Sequence, residues 1–118
     1  MREPRAQLKI SLRICVGDEI ALGPGKADLL ECIEQEGTLT AAGKRLGMSY
    51  KRAWDLVETM NRCFESPLVE TCKGGAARGG SNLTPLGRDV LARFRRMEAM
   101  AREATRADTR SIARHVAG

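Results

Sequence analysis

The stretch TLTAAGKRLGMSYKRAW, residues 38–54, decides the fold. Thr38-Leu39-Thr40 supplies hydroxyl caps for a short Ala-rich helix over residues 41–46, and Gly47 stops it. Ser49 caps a longer helix over residues 50–64, in which Ala53, Leu56, Val57, Met60 and Phe64 form one apolar stripe; Pro67 bars its continuation. Two helices joined by a glycine-centred turn make a helix-turn-helix, whose second helix can lie in the major groove of DNA. The small residues Ala41, Ala42 and Gly43 let the two helices approach closely. With the stripe buried, Tyr50, Lys51, Trp54 and Asp55 are left on the opposite face behind the Ser49 cap, with Arg52 beside them, where base edges would be reached. The competing reading makes them the solvated side of a core helix. Trp54 either packs against neighbouring elements or makes apolar contact at the nucleic acid. Lys44, Arg45 and Arg62 flank the helix and suit phosphate contacts, which fix register without reading sequence, although each is equally explained as ordinary surface charge.

Towards the C-terminus, residues 68–72 read as an extended strand and residues 81–83 as its return, joined by the glycine-rich loop KGGAARGG, residues 73–80. Helix-turn-helix, strand, loop, strand is the order of a winged helix, with Lys73 and Arg78 of the wing reaching the DNA backbone or minor groove. The same loop contains G-x-x-x-x-G from Gly75 to Gly80, but Ser81 and Asn82 stand where a phosphate-cradling loop needs Lys and Ser/Thr, and no helix opens there. Thr84 is an N-cap with Pro85 in the first helical position. Leu86, Val90, Phe94, Met97 and Ala101 then recur at helical steps, predicting a long closing helix suited to dimerisation. From Thr105 the apolar stripe thins into a basic, frayed tail.

Towards the N-terminus, Leu8, Ile10, Leu12, Ile14 and Val16 alternate with polar or small neighbours, predicting a half-buried strand over residues 8–16. Gly17-Asp18-Glu19 turns the chain, Ile20-Ala21-Leu22 pairs back, and Gly23-Pro24-Gly25 breaks it. A helix follows over residues 26–35, with Ala27, Leu29, Leu30, Cys32 and Ile33 on one side, Asp28, Glu31 and Glu34 on the other, and Gly37 at its end. The fold class is α+β, mainly α: a winged helix-turn-helix with an N-terminal strand or hairpin over residues 1–104, then a tail over residues 105–118.

The 118 residues, 42% of them hydrophobic, suit one domain. The net charge of +5 is unevenly placed. Residues 17–37 carry one positive and six negative side chains, residues 38–62 five and two, and residues 73–118 ten and four. A basic excess in the middle and the C-terminal third points to a polyanion partner. Cys15, Cys32, Cys63 and Cys72 include no C-x-x-C pair, and His115 is the sole histidine, so no metal is expected. No apolar run approaches the ~20 residues of a membrane span and no signal peptide opens the chain, so a soluble cytoplasmic protein without a membrane partner is expected. With no nucleophile beside a base, and Asp28 and Glu31 on a solvated face, no enzyme is expected.

Several ordered motifs agree with one family: Leu22-Gly23-Pro24-Gly25-Lys26, Gly47-Met48-Ser49-Tyr50-Lys51-Arg52-Ala53-Trp54, Met60-Asn61-Arg62, Pro67-Leu68-Val69-Glu70-Thr71 and Leu83-Thr84-Pro85-Leu86-Gly87. Together with the glycine-rich loop they resemble the N-terminal DNA-binding domain of ModE-family molybdate-responsive transcriptional regulators, over roughly residues 8–98. LysR-type regulators share the pattern more loosely. The resemblance implies a homodimer that binds a palindromic operator at molybdate-transport genes and represses them when molybdate is bound. In that family, molybdate is held by C-terminal molybdopterin-binding-like (Mop) domains. The 118 residues leave no room for them, so no cofactor is expected and direct molybdate sensing is in question. The leading expectation is a sequence-specific regulator of molybdenum-related genes acting on double-stranded DNA as a homodimer joined through the first and closing helices and the N-terminal strand. The alternatives are an adaptor that relies on a separate molybdate-sensing protein, docked through the acidic segment, and a general DNA-binding protein.

Overall fold

The computed structural model describes residues 6–71 and 80–117. In chain order it forms strands β1 (Ile14–Val16) and β2 (Glu19–Leu22), helices α1 (Pro24–Glu36), α2 (Leu39–Arg45) and α3 (Tyr50–Cys63), strands β3 (Val69–Thr71) and β4 (Ser81–Leu83), and helices α4 (Pro85–Ala104) and α5 (Arg106–Ala113). The core is built on α1, whose Ala27, Leu29, Leu30 and Ile33 are fully buried. Ala42 of α2, Ala53 and Met60 of α3, Leu68, Leu83 and Phe94 of α4 close around them. Burying each large apolar side chain contributes about 1.5–3 kcal/mol, so α1 is where most elements gain their stability.

Capping sets the helix starts. Thr38 Oγ1 accepts from the Ala41 N–H at 3.0 Å, Ser49 Oγ from the Arg52 N–H at 3.1 Å, and Thr84 Oγ1 from the Gly87 N–H at 2.9 Å. Gly47, at φ 71°, makes the turn between α2 and α3 in the left-handed region that other residues avoid. The wing strands β3 and β4 pair antiparallel, Val69 opposite Leu83 and Thr71 opposite Ser81. A bridge between Thr38 and Gly80, with the Ser81 N–H donating to the Gly37 carbonyl at 2.8 Å, fastens β4 to the turn between α1 and α2. Cys72, Lys73, Arg78 and the rest of the glycine-rich loop through Gly79 lie outside the described residues.

Three expectations are corrected. The strand expected over residues 8–16 is confined to Ile14–Val16, because β2 offers only four residues to pair with and the register slips between Ile14 and Cys15. Leu12 packs against the core, while Leu8, Ile14 and Val16 stay exposed. Pro24 does not sit in a chain break but opens α1, where its missing N–H leaves no bond unmade. The tail expected to fray is helical over Arg106–Ala113, with Arg106 paired to Glu103 at 2.7 Å across its start.

The closing helix packs through its first half only. Gly87 and Phe94 are buried and Leu86, Val90 and Leu91 partly so, whereas Met97 and Met100 are 41% and 63% exposed and α5 buries nothing. The long dimension of 58 Å, against 35 and 24 Å, reflects this projection. Ion pairs join α4 to α1: Arg95 reaches Asp28 at 2.6 Å and Glu31 at 2.7 Å, with Glu98 at 3.0 Å, and Arg88 meets Glu34 at 3.1 Å. Partial burial works against the charge of Arg95, but the three carboxylates outweigh it and raise its pKa.

Gly87 marks the tightest approach, since a Cβ there would stand 2.1 Å from the Leu68 carbonyl oxygen, whereas one at Gly25 would meet nothing within 4 Å. Gly87→Ala is therefore expected to destabilise the domain by about 2 kcal/mol or more through backbone displacement. Gly25→Ala, inside a helix with open space, should stabilise it by about 0.5–1 kcal/mol. Urea unfolding of the two variants checks both signs.

Candidate nucleic-acid interface

Helix α3 turns Ala53, Val57 and Met60 into the core, with Leu56 and Phe64 half-buried beside them. It can lie close to α2 because the facing residues are small: a Cβ on Gly43 would meet the Met48 carbonyl oxygen at 3.2 Å and the Ala53 Cβ at 3.4 Å. The Met48 N–H donates to the Gly43 carbonyl at 2.9 Å, closing the turn.

The opposite face carries Lys51 and Asp55, whose charged ends lie 3.4 Å apart with the side chains 82% and 53% exposed. An ion pair this exposed is worth a few tenths of a kcal/mol, so Lys51 is readily taken over by another anion. Tyr50 is 56% and Trp54 45% exposed, one helical turn apart. Trp54 is therefore no part of the core, and the two rings form an aromatic surface beside the cations. Ser49 and Arg52 are exposed at the start of the helix, as is Lys44 at the end of α2.

Two of the flanking cations are paired with carboxylates of neighbouring elements. Arg45 pairs with Glu36 at 3.1 Å and donates to Gln35, tying α2 to the end of α1. Arg62 pairs with Glu19 at 2.8 Å, tying α3 to the β1–β2 turn. The Arg62 guanidinium, with the Cys63 thiol donating at 3.5 Å, holds the Glu19 carboxyl below its usual range. Burial and Glu19 push the Cys63 thiol up. Both arginines keep further N–H donors. Lys73 and Arg78 lie outside the described residues.

Asn61 is a residue that the sequence reading did not single out for the site. Its Oδ1 accepts from the Leu68 N–H at 2.8 Å and the Val69 N–H at 3.2 Å, and its Nδ2 donates to the Val69 carbonyl at 3.1 Å. It thereby pins the root of the wing to α3. The available signal was an amide beside an apolar stripe, followed by a segment whose backbone needed partners. Asn61→Ala leaves two backbone N–H groups without these bonds and is expected to cost about 1–3 kcal/mol, measured by thermal unfolding and by faster hydrogen exchange at Leu68 and Val69.

Among the described residues no group of three His, Cys, Asp or Glu side chains could hold a metal ion, and no helix is long and apolar enough to cross a membrane. Two helices crossing at a tight turn, a two-stranded wing and a closing helix define a winged helix-turn-helix domain. The solved structure described as the CbnR_DBD–DNA complex has the same fold, with a TM-score of 0.58 and 22% identity over 74% of this chain and 95% of that one.

By sequence, the chain is a homologue of the N-terminal part of ModE proteins. It is 41% identical over 98 residues to the molybdenum transport protein ModE of Azotobacter vinelandii, covering 83% of this chain and 36% of that protein. It is 42% identical over 77 residues to the molybdenum-pterin-binding protein MopA of Rhodobacter capsulatus, covering 65% and 29%. Against the DNA-binding transcriptional dual regulator ModE of Escherichia coli K12 it is 34% identical over 85 residues, covering 72% and 32%. The chain thus spans about a third of the length of these relatives. No protein-family model matches it.

Proposed function

We propose that the chain is a sequence-specific DNA-binding transcriptional regulator of the ModE type, acting as a homodimer on double-stranded DNA at molybdate-transport or other molybdenum-related genes, and not as an enzyme. The observation that carries this reading is the exposed face of α3, where Tyr50, Lys51, Arg52, Trp54 and Asp55 stand clear of the core. A helix presented this way fits a major groove, with Lys51 and Arg52 available to phosphates or guanine edges and the two rings to thymine methyl groups. The relatives named as transcriptional regulators, and a neighbour solved with DNA, support it. The alternative, an adaptor docked on a separate sensor protein through the acidic segment, requires that partner to compete with Arg95, Arg88 and Arg45 of the same chain, which pair with Asp28, Glu31, Glu34 and Glu36.

Dimerisation is assigned to the projecting part of α4 and to α5, where Met97, Met100 and Ile112 are exposed. Two-fold symmetry would set the two α3 helices about 34 Å apart, in successive major grooves.

Lys51→Ala and Arg52→Ala are each expected to weaken binding to a fragment selected from genomic DNA, leaving the unfolding midpoint unchanged. With about six phosphates neutralised, log affinity should fall against log salt with a slope of about −5. Fluorescence anisotropy checks both, and unchanged affinity in both variants would remove the assigned face. Met100→Glu should shift the chain towards monomer in sedimentation equilibrium and weaken operator binding in proportion.

A further inference from the structure

Three basic side chains distant in sequence meet on one flank of α3. Arg13 immediately precedes β1, Lys26 sits in the first turn of α1 and Arg52 in the first turn of α3, and all three line an open pocket of about 270 Å³ over the apolar side chains of Ile20, Met48 and Leu56. Arg13 is placed by Gly23, whose position lets the arginine stem lie so close that a Cβ would meet its Cγ at 3.4 Å. Among the described residues, none of the three has a carboxylate within ion-pair distance, in contrast to Arg45, Arg62, Arg88 and Arg95. Glu19 of the hairpin feels the charge of Lys26, but its oxygens are held by Arg62 and Cys63. The first turn of α1 contributes no acidic residue. Like charges that line one pocket repel one another, and an anion bound among them turns that repulsion into attraction.

The pocket's place on α3 indicates which anion. Arg52 follows Lys51 on the helix proposed to enter the groove, and with Leu56 it faces the β1–β2 hairpin, whereas Asn61 on the other side of the helix holds the wing. A duplex with α3 in its major groove brings a phosphate strand along each flank of the helix.

We propose that Arg13 and Lys26, together with Arg52, form an anchor for a DNA backbone phosphate on the hairpin flank of α3, opposite the wing. The proposal rests on the DNA-binding reading above and adds Arg13 and Lys26 to the DNA-contacting surface. Such an anchor fixes the register of α3 and contributes equally on every sequence.

The test compares Arg13→Gln, Lys26→Gln and the double variant with the wild-type chain by anisotropy, on the selected fragment and on an unrelated duplex, between about 50 and about 200 mM salt. Each single variant is expected to lose about three- to ten-fold in affinity by the same factor on both duplexes, and the salt slope to shrink by about 0.9 per lost contact. Arg13→Lys should recover the slope. Neither side chain makes a hydrogen bond among the described residues, so the variants should unfold at the wild-type midpoint. Wild-type binding with an unchanged slope and affinity in the double variant would overturn the anchor and leave the proposed function standing. A loss confined to the selected fragment would overturn it too, because a phosphate contact reads no sequence. A wild-type chain that binds no duplex would sink both readings together.

Discussion

The backbone of Leu68 joins the three elements on which the domain's geometry depends. Its N–H donates to Asn61 of α3 at 2.8 Å, and its carbonyl accepts from the Thr84 N–H at 2.9 Å, while the Thr84 hydroxyl donates to the neighbouring Pro67 carbonyl at 2.8 Å. Its side chain is fully buried, and only a glycine at position 87 lets α4 pass so near its carbonyl oxygen. Recognition helix, wing root and closing helix are thus fixed around one residue whose polar groups are satisfied, which is the condition for burying a loop. A small rotation of Leu68 would alter the wing's angle to α3 and the direction in which α4 leaves the core. In the proposed homodimer, that direction sets where the second α3 stands.

Charge is sorted by the same packing. The outward carboxylates of α1 look in sequence like a solvated face or a docking patch, yet they neutralise arginines of α4 and α2. Individually such half-exposed pairs contribute little, but Arg95 gathers three carboxylates and belongs to the networked kind that contributes measurably. The consequence is a division of labour: cations on the closing helix hold the fold, while Lys44, Lys51, Arg52, Arg13 and Lys26 carry positive charge around the start of α3 without strong acidic partners. An anion meeting this surface has no strong carboxylate partner to displace, although long exposed side chains must be ordered to hold it.

Much of this was legible in the sequence because the determining interactions are local. Thr38, Ser49 and Thr84 each bond an N–H three residues ahead, so a residue type at a helix start is nearly the whole signal. The stripe Ala53, Val57 and Met60 likewise fixed which face of α3 is free. The N-terminal strand misled because alternation reports which side chains share a face and not whether the backbone has a partner: β2 is too short to extend the pairing past Ile14. The tail misled because a thinning apolar stripe removes burial but not helix propensity, so α5 is helical although it buries nothing. The sequence gives no sign that Arg45 and Arg62 are paired, because their partners, Glu36 and Glu19, are neighbours only in the folded chain. The meeting of Arg13, Lys26 and Arg52 was hidden for the same reason.

The most direct test of the central claim, that α3 is a recognition helix presented in two-fold symmetry, is hydroxyl-radical footprinting of the purified chain on fragments selected from genomic DNA. The account predicts protection of two half-sites related by a dyad and centred about 10–10.5 base pairs, or a whole multiple of that, apart. Diffuse protection without a repeating centre, equal on selected and unselected fragments, would contradict it.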